Sequence, residues 1–519
     1  MIGLLGLCSF ALLAWAVVPS WWSDGHHRSV RKIVTTLAAL QCVSASVGLI
    51  CWLVTNRTAI DSIWWQSTQT PLSIGFRYDG VSGLMFTLVS FVGWIICRHS
   101  VRYLDGEVRQ GRYFRWTAVT LGAVSLMVLS GNLLMFILMW VSTSLGLHQL
   151  LMHYGDRPGA SRAAWTKFTI SRVGDAALIA AMVLLFRSVG SLDFGAIFAA
   201  MPATSEGSPM ITAAGWLLMV GAVTKSAQFP THIWLPQTME TPTPVSALMH
   251  AGIVNAGGYL IVRTSPIVSL VPSAMTALIL AGGITAIYAS LVMLTQTSVK
   301  RSLAYSTIAQ MGFMLLQCGL GAFSAAMLHI VAHSLYKAHA FLGSGSILKT
   351  EARSADALEP TQKVGWATMV TAFALCVVTY FGMAVIAGVS PTEKPSGFLL
   401  GMVIVLAVAH WLLESIRMGS AWFTSRASLI GLLLMIGYLA SYRLIDFVVA
   451  GDVGALAITG SMWAATGIVL VGFGALFAFH RLLASETRPR WLINLHVHAS
   501  NGFYLEALVR RFFNPLASS

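Results

Sequence analysis

Long apolar stretches alternate with short polar ones from one end of the chain to the other. An apolar run of about 18 residues is long enough to cross a hydrocarbon core of about 30 Å. Because such runs recur throughout, the pattern predicts an all-α polytopic membrane protein of about fifteen transmembrane helices, with no soluble domain left over. The predicted spans are residues 1–18, 33–55, 79–97, 115–131, 132–152, 166–186, 211–229, 243–262, 270–294, 302–320, 322–348, 366–388, 397–414, 428–449 and 455–480.

Composition agrees with this prediction. Of the 519 residues, 56% are hydrophobic and 10% are charged, and the mean hydropathy is +0.75. A water-soluble protein carries about 25% charged residues, so lipid is the main solvent of this chain. The first span has no basic region before it and no small-residue cleavage site, and we interpret it as a retained helix rather than a signal peptide.

The formal net charge of +13 indicates orientation rather than nucleic-acid binding, because the basic loops of a membrane protein stay on the cytoplasmic side. With the N-terminus outside, most basic residues fall in inside loops and the C-terminus is inside. The outside loops hold isolated charges such as Arg57, Arg263 and Lys394. The inside basic residues are Arg98, Arg102, Arg109, Arg112, Arg115, Arg157, Arg162, Lys167, Lys300, Arg301, Lys349, Arg353 and Lys363, followed in the tail by Arg481, Arg488, Arg490, Arg510 and Arg511.

The motifs of soluble cofactor chemistry are missing from the sequence. Its six cysteines lie singly in apolar segments, without the CxxC spacing of a zinc or iron–sulfur site. There is no GxGxxG followed by a ribose-binding acid and no GxxxxGK[ST]. We therefore expect no cofactor or metal in this chain and no catalysis of its own, so energy must come from elsewhere.

Ionisable residues inside the predicted spans are costly and are therefore functional candidates. Lys225 lies in an apolar helix, and Pro230 cannot continue the backbone hydrogen-bond ladder. This predicts a broken helix near 225–230, where transporters place ion sites. Desolvation there favours a neutral amine that can exchange protons, whereas the alternative is a lysine extended to the membrane surface. His250 lies among small residues on the next helix and is a candidate relay, or alternatively a structural hydrogen-bond partner.

A second cluster stands on one helix at residues 328–349. His329, His333 and Lys337 are spaced at i, i+4 and i+8 and so share a stripe, whereas His339 lies off it. Titratable groups stacked about 6 Å apart along a helix can pass a proton through short water bridges. The spacing also suits zinc, but no third acidic or thiolate ligand is near. Residues 343–345 (Gly-Ser-Gly) suggest a second helix break.

Two further acidic positions lie near helix starts. Arg172 and Asp175, at i, i+3, are either a structural ion pair that fixes the depth of a helix or a site where ions enter. Asp79 is interpreted as an acid that the dipole at a helix N-terminus stabilises, with a structural role.

These segments resemble a known family. TKSAQFPTHIWLPQTMETPTPVSALMHA, HIVAHSLYKAHAFLGSGS, LAYSTIAQMGFM and SRVGDA are similar to the antiporter-like subunits shared by respiratory complex I and Mrp-type cation/proton antiporters, over about residues 75 to 390. The resemblance implies that Lys225 is the central broken-helix lysine, His250 the histidine after it, and the 329–337 stripe the connection between half-channels. It also implies N-terminal helices in 1–114, inverted five-helix repeats in 115–262 and 270–414, each contributing a broken helix, and C-terminal helices with a cytoplasmic amphipathic tail in 415–519.

Two departures from the family pattern stand out. The pumping subunits carry a glutamate after the tryptophan of the fifth helix, paired with the broken-helix lysine, but here Val141 follows Trp140. The second repeat's broken helix would supply a charged exit residue, but residues 377–391 hold no charge. His148, one to two turns beyond the missing glutamate, is the position we expect to compensate, unless it only caps the helix end.

The variant WVSTSLGLHQLL, the segment DRPGASRAAWTKFTISRVGDA and the tail HASNGFYLEALVRRFF are similar to one branch, the membrane subunits of two-component inorganic-carbon accumulation (DAB) complexes. That resemblance implies a subunit of a bacterial inner membrane that conducts a cation, H⁺ or Na⁺ with H⁺ expected, down the proton-motive force. It implies a large cytoplasmic partner with a zinc site like that of a β-carbonic anhydrase, which converts CO₂ to bicarbonate. The basic inside loops and the tail around Phe503, Leu505, Leu508 and Phe512 are candidate partner surfaces.

We expect the ion to enter near His148, or near Arg172 and Asp175, and then to pass Lys225, His250 and the 329–337 stripe. A pump subunit of a complex I-like assembly or a Mrp-type Na⁺/H⁺ antiporter subunit is the main alternative, and it predicts an acidic partner for Lys225. A scaffold that anchors a partner and conducts nothing is a third.

Overall fold

The apolar runs form helices, and a computed structural model describes residues 2–55, 57–66, 73–201, 208–344, 365–389, 395–483 and 490–507. The helices of the first half are α1 (Ile2–Leu13), α2 (Ser20–Gly25), α3 (His27–Val54), α4 (Gly80–Tyr103), α5 (Gln110–Val128), α6 (Leu133–Leu151), α7 (Pro158–Val189), α8 (Phe194–Ala200), α9 (Pro209–Lys225), α10 (Thr243–Ala251), α11 (Ala256–Arg263) and α12 (Ser265–Val268).

The second half continues with helices of similar length. They are α13 (Pro272–Met293), α14 (Val299–Gly319), α15 (Phe323–Gly343), α16 (Trp366–Ile386), α17 (Pro395–Arg417), α18 (Ala421–Val449), α19 (Gly460–Leu483) and α20 (Arg490–Ser500). Short 3-10 turns occupy Ala14–Val17, Met152–Tyr154, Thr231–Trp234, Thr238–Glu240, Ile253–Asn255 and Gly502–Tyr504.

The predicted class, an all-α polytopic membrane protein, is confirmed. Among the described residues, nine helices are long and apolar enough to cross a membrane, and Leu5–Val17 and Pro209–Lys225 are shorter apolar helices. Every predicted span contains a helix. The number fifteen, the orientation and the division into two inverted repeats stay predictions.

One element was not predicted. Strand β1 (Ile60–Gln66) pairs antiparallel with β2 (Ser73–Tyr78) in a small hairpin between α3 and α4. The strands are short and rich in β-branched and aromatic residues, which favour extended backbone. The hairpin leads directly into Asp79, the N-cap of α4.

Two predicted spans are interrupted, the first where a broken helix was predicted near 225–230 and the second where a continuous helix was predicted. The span 211–229 stops at Lys225, after which Ala227 takes a left-handed φ of 49°. The span 243–262 divides at Gly252 into α10 and α11. Hydrogen bonds from the break satisfy the freed backbone at membrane depth, because Ser226 Oγ donates to Val254 O and Phe229 N donates to Thr285 Oγ1.

Small residues bring the central helices together. Helix α7 packs along α9, α13 along α14, and α10 against α15. A Cβ on Gly174 of α7 would overlap Thr224 Oγ1 of α9, and one on Gly257 of α11 would overlap Ser226 and Ala222. Such close backbone approach is typical of membrane helix interfaces. It places the end of α9 between α7 and α11.

Replacement of Gly174 by alanine is expected to separate α7 from α9. Overpacking of a tight interface costs about 1–3 kcal/mol of unfolding free energy. Ion flux should also fall, because displacement of Thr224 displaces Lys225, the next residue in the chain. Thermal unfolding in detergent and flux in vesicles measure both effects. Gly467→Ala is the matched control, because nothing lies within 4 Å of its added Cβ. Equal behaviour of the two variants would contradict this packing.

Loop contacts define two opposite faces. On one, Arg31 pairs with Asp105 at 3.0 Å and Arg109 with Asp156 at 3.1 Å. We call this the basic face because it holds the loops predicted to lie inside. The other face holds the hairpin and a buried acidic cluster around Asp79.

Three basic residues that the orientation analysis counted as loop charges lie in helices and are buried. Arg115 of α5 donates to Trp15 O and Ala16 O, Arg263 is 1% exposed, and Lys167 is 2% exposed. Each finds partners that are distant in sequence, which is why a loop assignment from charge alone was wrong. Other predicted tail and loop positions lie outside the described residues, namely Lys349, Arg353, Lys363, Lys394, Arg488, Leu508, Arg510, Arg511 and Phe512.

Asp79 anchors the acidic cluster. Its carboxylate accepts from Ser82 N in a capping box and pairs with Arg77 at 3.0 Å and with Arg263 at 2.5 Å. Asp452 accepts from Gly80 N at 2.8 Å. The predicted helix N-terminal acid is thus also the centre of a buried ion-pair network.

Asp452 is the surplus acid of this cluster, and its titration should be visible in stability. Burial, followed by the charge of Asp79, raises the pKa of Asp452 from 3.8 to about 6. Since the folded-state pKa is raised, this group favours folding at low pH and loses that contribution as pH rises through about 6. Solvent screening reduces the ionisation cost to about 1–2 kcal/mol.

Asp452→Asn keeps an oxygen for Gly80 N and removes the charge. We expect the variant to unfold at a higher temperature than the native chain at pH 8 and at the same temperature near pH 4. Asp105→Asn, at an exposed pair, is the control. Parallel pH profiles for native and Asp452→Asn chains would refute this role.

Candidate functional site

Lys225 lies at the end of α9, at the break, and is almost fully buried. Its Nζ donates to Ser144 Oγ at 2.8 Å and to Trp140 O at 3.2 Å, both on α6. The ammonium also lies 4.4 Å from the centre of the Trp140 ring. A hydroxyl, a carbonyl and an aromatic face thus replace the carboxylate that the family pattern expects.

A second lysine shares this environment. Lys167 of α7 is buried, and its Nζ donates to Ser144 O at 3.0 Å. From the sequence, Lys167 was predicted to be a charge in an inside loop. Its position at the edge of an apolar span was the one signal that could have identified it.

Arg172 and Asp175 lie further along α7. Their side chains pair at 2.7 Å, with Arg172 partly exposed and Asp175 buried. The charges of this pair act on both Lys225 and Lys167. Asp175 of α7 therefore supplies a negative charge near the lysines. That charge is already balanced by Arg172.

His148 stands one turn after Ser144 on α6. Its Nδ1 lies 3.2 Å from Ala164 O on α7, and because a carbonyl only accepts, Nδ1 carries the hydrogen. The ring packs against Trp165 and Phe168. His148 thus bridges two helices rather than capping its own, and it lies between the lysine pair and the basic face.

His250 belongs to the second cluster, on α10. Its Nδ1 lies 3.0 Å from Thr307 Oγ1, and Thr307 already donates its hydroxyl hydrogen to Leu303 O. Nδ1 is therefore the donor, which leaves Nε2 as the acceptor. The ring stacks on Phe341 of α15 at 4.3 Å.

Lys337 of α15 repeats the pattern of Lys225. Its Nζ donates to Ser306 Oγ at 2.9 Å and to Leu303 O at 3.2 Å on α14. Ser306 and Thr307 are adjacent, so α14 links Lys337 to His250. In the part of the chain that the structure describes, neither Lys225 nor Lys337 forms an ion pair with an acid.

His329 and His333 continue the stripe along α15. Their ring centres are 5.9 Å apart, and His329 Nδ1 lies 2.8 Å from Gln317 Oε1. His339 is exposed, off the stripe. Within the described residues no hydrogen-bond partner reaches Nε2 of His250, His329 or His333, although all three atoms are buried. These nitrogens can accept a proton.

Polar side chains lie between the two clusters. Asn255, in the turn between α10 and α11, donates through Nδ2 to Ser334 Oγ at 2.8 Å, next to His333. On the other side, Ser226 Oγ donates to Val254 O at 2.6 Å, next to Lys225. These residues were not predicted from the sequence, because serine, threonine and asparagine are ordinary in membrane helices. The same holds for Ser144, Ser306 and Thr307.

The arrangement can exchange protons. A buried ammonium without a carboxylate partner is costly, which favours loss of the proton, and neutral histidines are ready acceptors. Among the described residues, no group of three or more histidines, cysteines and acids is placed to hold a metal ion. His329 and His333 therefore have no third ligand there for the zinc alternative.

A bundle of membrane helices, one of them broken at a buried lysine and lined by titratable residues, defines an antiporter-like class of membrane protein. Residues 130–424 match the family model "NADH:quinone oxidoreductase/Mrp antiporter, TM", and residues 64–114 match "NADH-Ubiquinone oxidoreductase (complex I), chain 5 N-terminus". The chain belongs to this family of membrane subunits.

Individual relatives fall into two groups. A probable inorganic carbon transporter subunit DabB2 of Halothiobacillus neapolitanus is 41% identical over 85% of this chain and 80% of its own length. A probable inorganic carbon transporter subunit DabB of Hydrogenovibrio crunogenus is 36% identical over 85% of this chain and 83% of its own length. NADH-quinone oxidoreductase subunit L of Escherichia coli is 36% identical over 66% of this chain and 56% of its own length.

Solved structures share the fold. A chain of the Mrp complex from a Dietzia species superposes with a TM-score of 0.60 at 21% identity, covering 99% of this chain. This chain spans only 61% of that Mrp chain's length. A chain of respiratory complex I from Thermus thermophilus gives a TM-score of 0.55 at 19% identity, covering 97% of this chain and 99% of that chain.

Proposed function

We propose that this chain is the ion-conducting membrane subunit of an inorganic-carbon uptake complex in a bacterial inner membrane. It conducts H⁺ from the outer to the cytoplasmic face, down the proton-motive force. A zinc-containing, carbonic-anhydrase-like partner on the cytoplasmic side uses that free energy to convert CO₂ to bicarbonate. The carbon assignment is supported by similarity to DabB subunits over 85% of the chain.

The single observation that supports conduction is the two-cluster arrangement of buried titratable groups. Lys225 and Lys337 each bind a serine hydroxyl and a backbone carbonyl, with His250 and the polar side chains of Ser334 and Asn255 between them. Groups held this way can lose and regain a proton without breaking an ion pair. A structural role would favour paired charges instead.

Direction follows from the driving force. From the sequence, ions were expected to enter near His148, or near Arg172 and Asp175, on the side of the basic face. If that face is cytoplasmic, inward flow crosses the same residues in reverse order, from the 329–337 stripe to His250, Lys225 and finally His148. His148 then becomes the place where the proton leaves.

The tail offers a route for coupling to the partner. Tyr288 of α13 donates its hydroxyl to Gly502 O at 3.0 Å, and its ring lies 5.9 Å from Phe503. The same ring contacts His232 at 4.9 Å, in the turn that follows the break. A change at the break therefore has a three-residue path to the tail, which we propose as part of the partner surface.

The test is rescue of a carbonic-anhydrase-deficient bacterium in air by this chain expressed together with the proposed zinc-containing partner. We expect growth that is lost on addition of an uncoupler. Growth that ignores the uncoupler would end the claim of proton coupling. A neighbouring gene set of many complex I or antiporter subunits would instead favour the pump or Na⁺/H⁺ antiporter alternative, which the 36% identity to subunit L supports.

A further inference from the structure

The ammonium groups of two buried lysines on different helices both donate hydrogen bonds to one serine of a third helix. Lys167 of α7 donates to the carbonyl of Ser144 at 3.0 Å, and Lys225 of α9 donates to its hydroxyl at 2.8 Å. Lys167 is 2% exposed and Lys225 is 4% exposed. The family resemblance gives a role to Lys225 and none to Lys167.

Full protonation of this pair is electrostatically unfavourable. Two ammonium groups that are shielded from water and bound to the same residue repel each other. Asp175 acts on both lysines, but its charge is offset by Arg172 at 2.7 Å. The charges of Arg172 and Asp175 cancel each other. The four residues together therefore carry a net charge of +1 when one lysine is protonated and +2 when both are. The site therefore favours a single proton held by either amine.

The two lysines connect to different parts of the chain. On the basic-face side, His148 donates to Ala164 O, one turn before Lys167 on α7. Lys225 adjoins Ser226, whose hydroxyl binds Val254 O beside Asn255, so it faces the interior cluster. Ser144 lies between the two lysines, one turn before His148 on α6.

We propose that Lys167 and Lys225 are the two binding sites of one transferable proton, both held at Ser144, Lys167 by its carbonyl and Lys225 by its hydroxyl. In the transfer, one N–H bond breaks at the amine that releases the proton and one N–H bond forms at the amine that receives it. The second lysine thus takes the place of the glutamate that valine replaces at position 141. This inference rests on the proposed function.

The experiment compares Lys167→Met and Lys167→Arg with the native full-length chain in vesicles, with proton flux measured under an imposed membrane potential. Arginine keeps the positive charge and the hydrogen bond to Ser144 O but holds its proton permanently. Both variants are expected to lose flux by about 100-fold, as for removal of a proton-transfer group. Arg187→Met, which replaces an exposed basic residue on the same helix, should leave flux unchanged.

The outcomes separate this inference from the function on which it depends. If the native chain conducts protons and Lys167→Met conducts them equally well, the shared-proton site is wrong but conduction still stands. The same conclusion follows if Lys167→Arg has normal flux. Lack of flux in the native chain would overturn conduction itself. If the methionine variant fails to fold, Lys167→Arg still decides, because a purely structural charge would be kept.

Discussion

Lys225→Met is expected to lower proton flux by about 100-fold while the chain still folds. Methionine fills the volume of the lysine but offers no group that binds a proton. The fold should survive because Lys225 has hydroxyl and carbonyl partners on α6 and leaves no ionised acid unpaired when it is removed. Replacing a buried charge by a well-packed apolar side chain is often neutral or stabilising.

The measurement pairs flux in vesicles with thermal unfolding in detergent. Lys32→Met, on the exposed surface of α3, is the matched control and should change neither. Unchanged flux in Lys225→Met would support the non-conducting scaffold. A collapse of stability without a folded population would show that the lysine is structural.

Asp79→Ala is expected to have the largest effect on stability, a loss of about 3–5 kcal/mol of unfolding free energy. The change leaves Arg263, which is 1% exposed, without the acid that forms its direct ion pair. It also removes the capping box that begins α4. Reduced yield and a lowered unfolding temperature in detergent should both follow.

A double variant isolates the charge from the cap. Asp79→Ala combined with Arg263→Met should recover part of the lost stability, since no buried cation remains, and the unrecovered part measures the cap at about 1 kcal/mol. Arg31→Met, which breaks an exposed pair, should cost less than about 1 kcal/mol. A double variant no more stable than Asp79→Ala would contradict the ion-pair explanation.

The helices and the principal candidates were predictable from sequence because both depend on the cost of polarity in lipid. Apolar run length reports a span directly, and Lys225, His250 and Lys337 are conspicuous among apolar neighbours. Pro230 indicated the break, although the helix ends five residues earlier, at Lys225.

The partners of these residues were not predictable, because they come from other helices. Lys167 looked like a loop charge until Ser144, 23 residues away, was seen to accept its hydrogen bond. Arg263 looked like an isolated outer charge, yet its partner Asp79 is 184 residues away. Periodicity along one helix carries no information about which other helix faces it.

The break in α10 and α11 shows the same limit. Gly252 sits in a run of small apolar residues, and such a run fits a continuous span as well as a divided one. The interruption depends on Asn255, which donates to Ala251 O and to Ser334 Oγ on α15. Only the packed bundle shows that this asparagine joins the two clusters.

The most direct test of the central claim is proton uptake by sealed vesicles that contain the purified full-length chain. A potassium gradient with valinomycin sets the membrane potential, and an internal pH-sensitive dye reports the proton. We predict acidification that follows the imposed potential, persists without Na⁺, and is lost in Lys225→Met. Acidification no faster than in protein-free vesicles, or equal rates in native and Lys225→Met chains, would contradict the account.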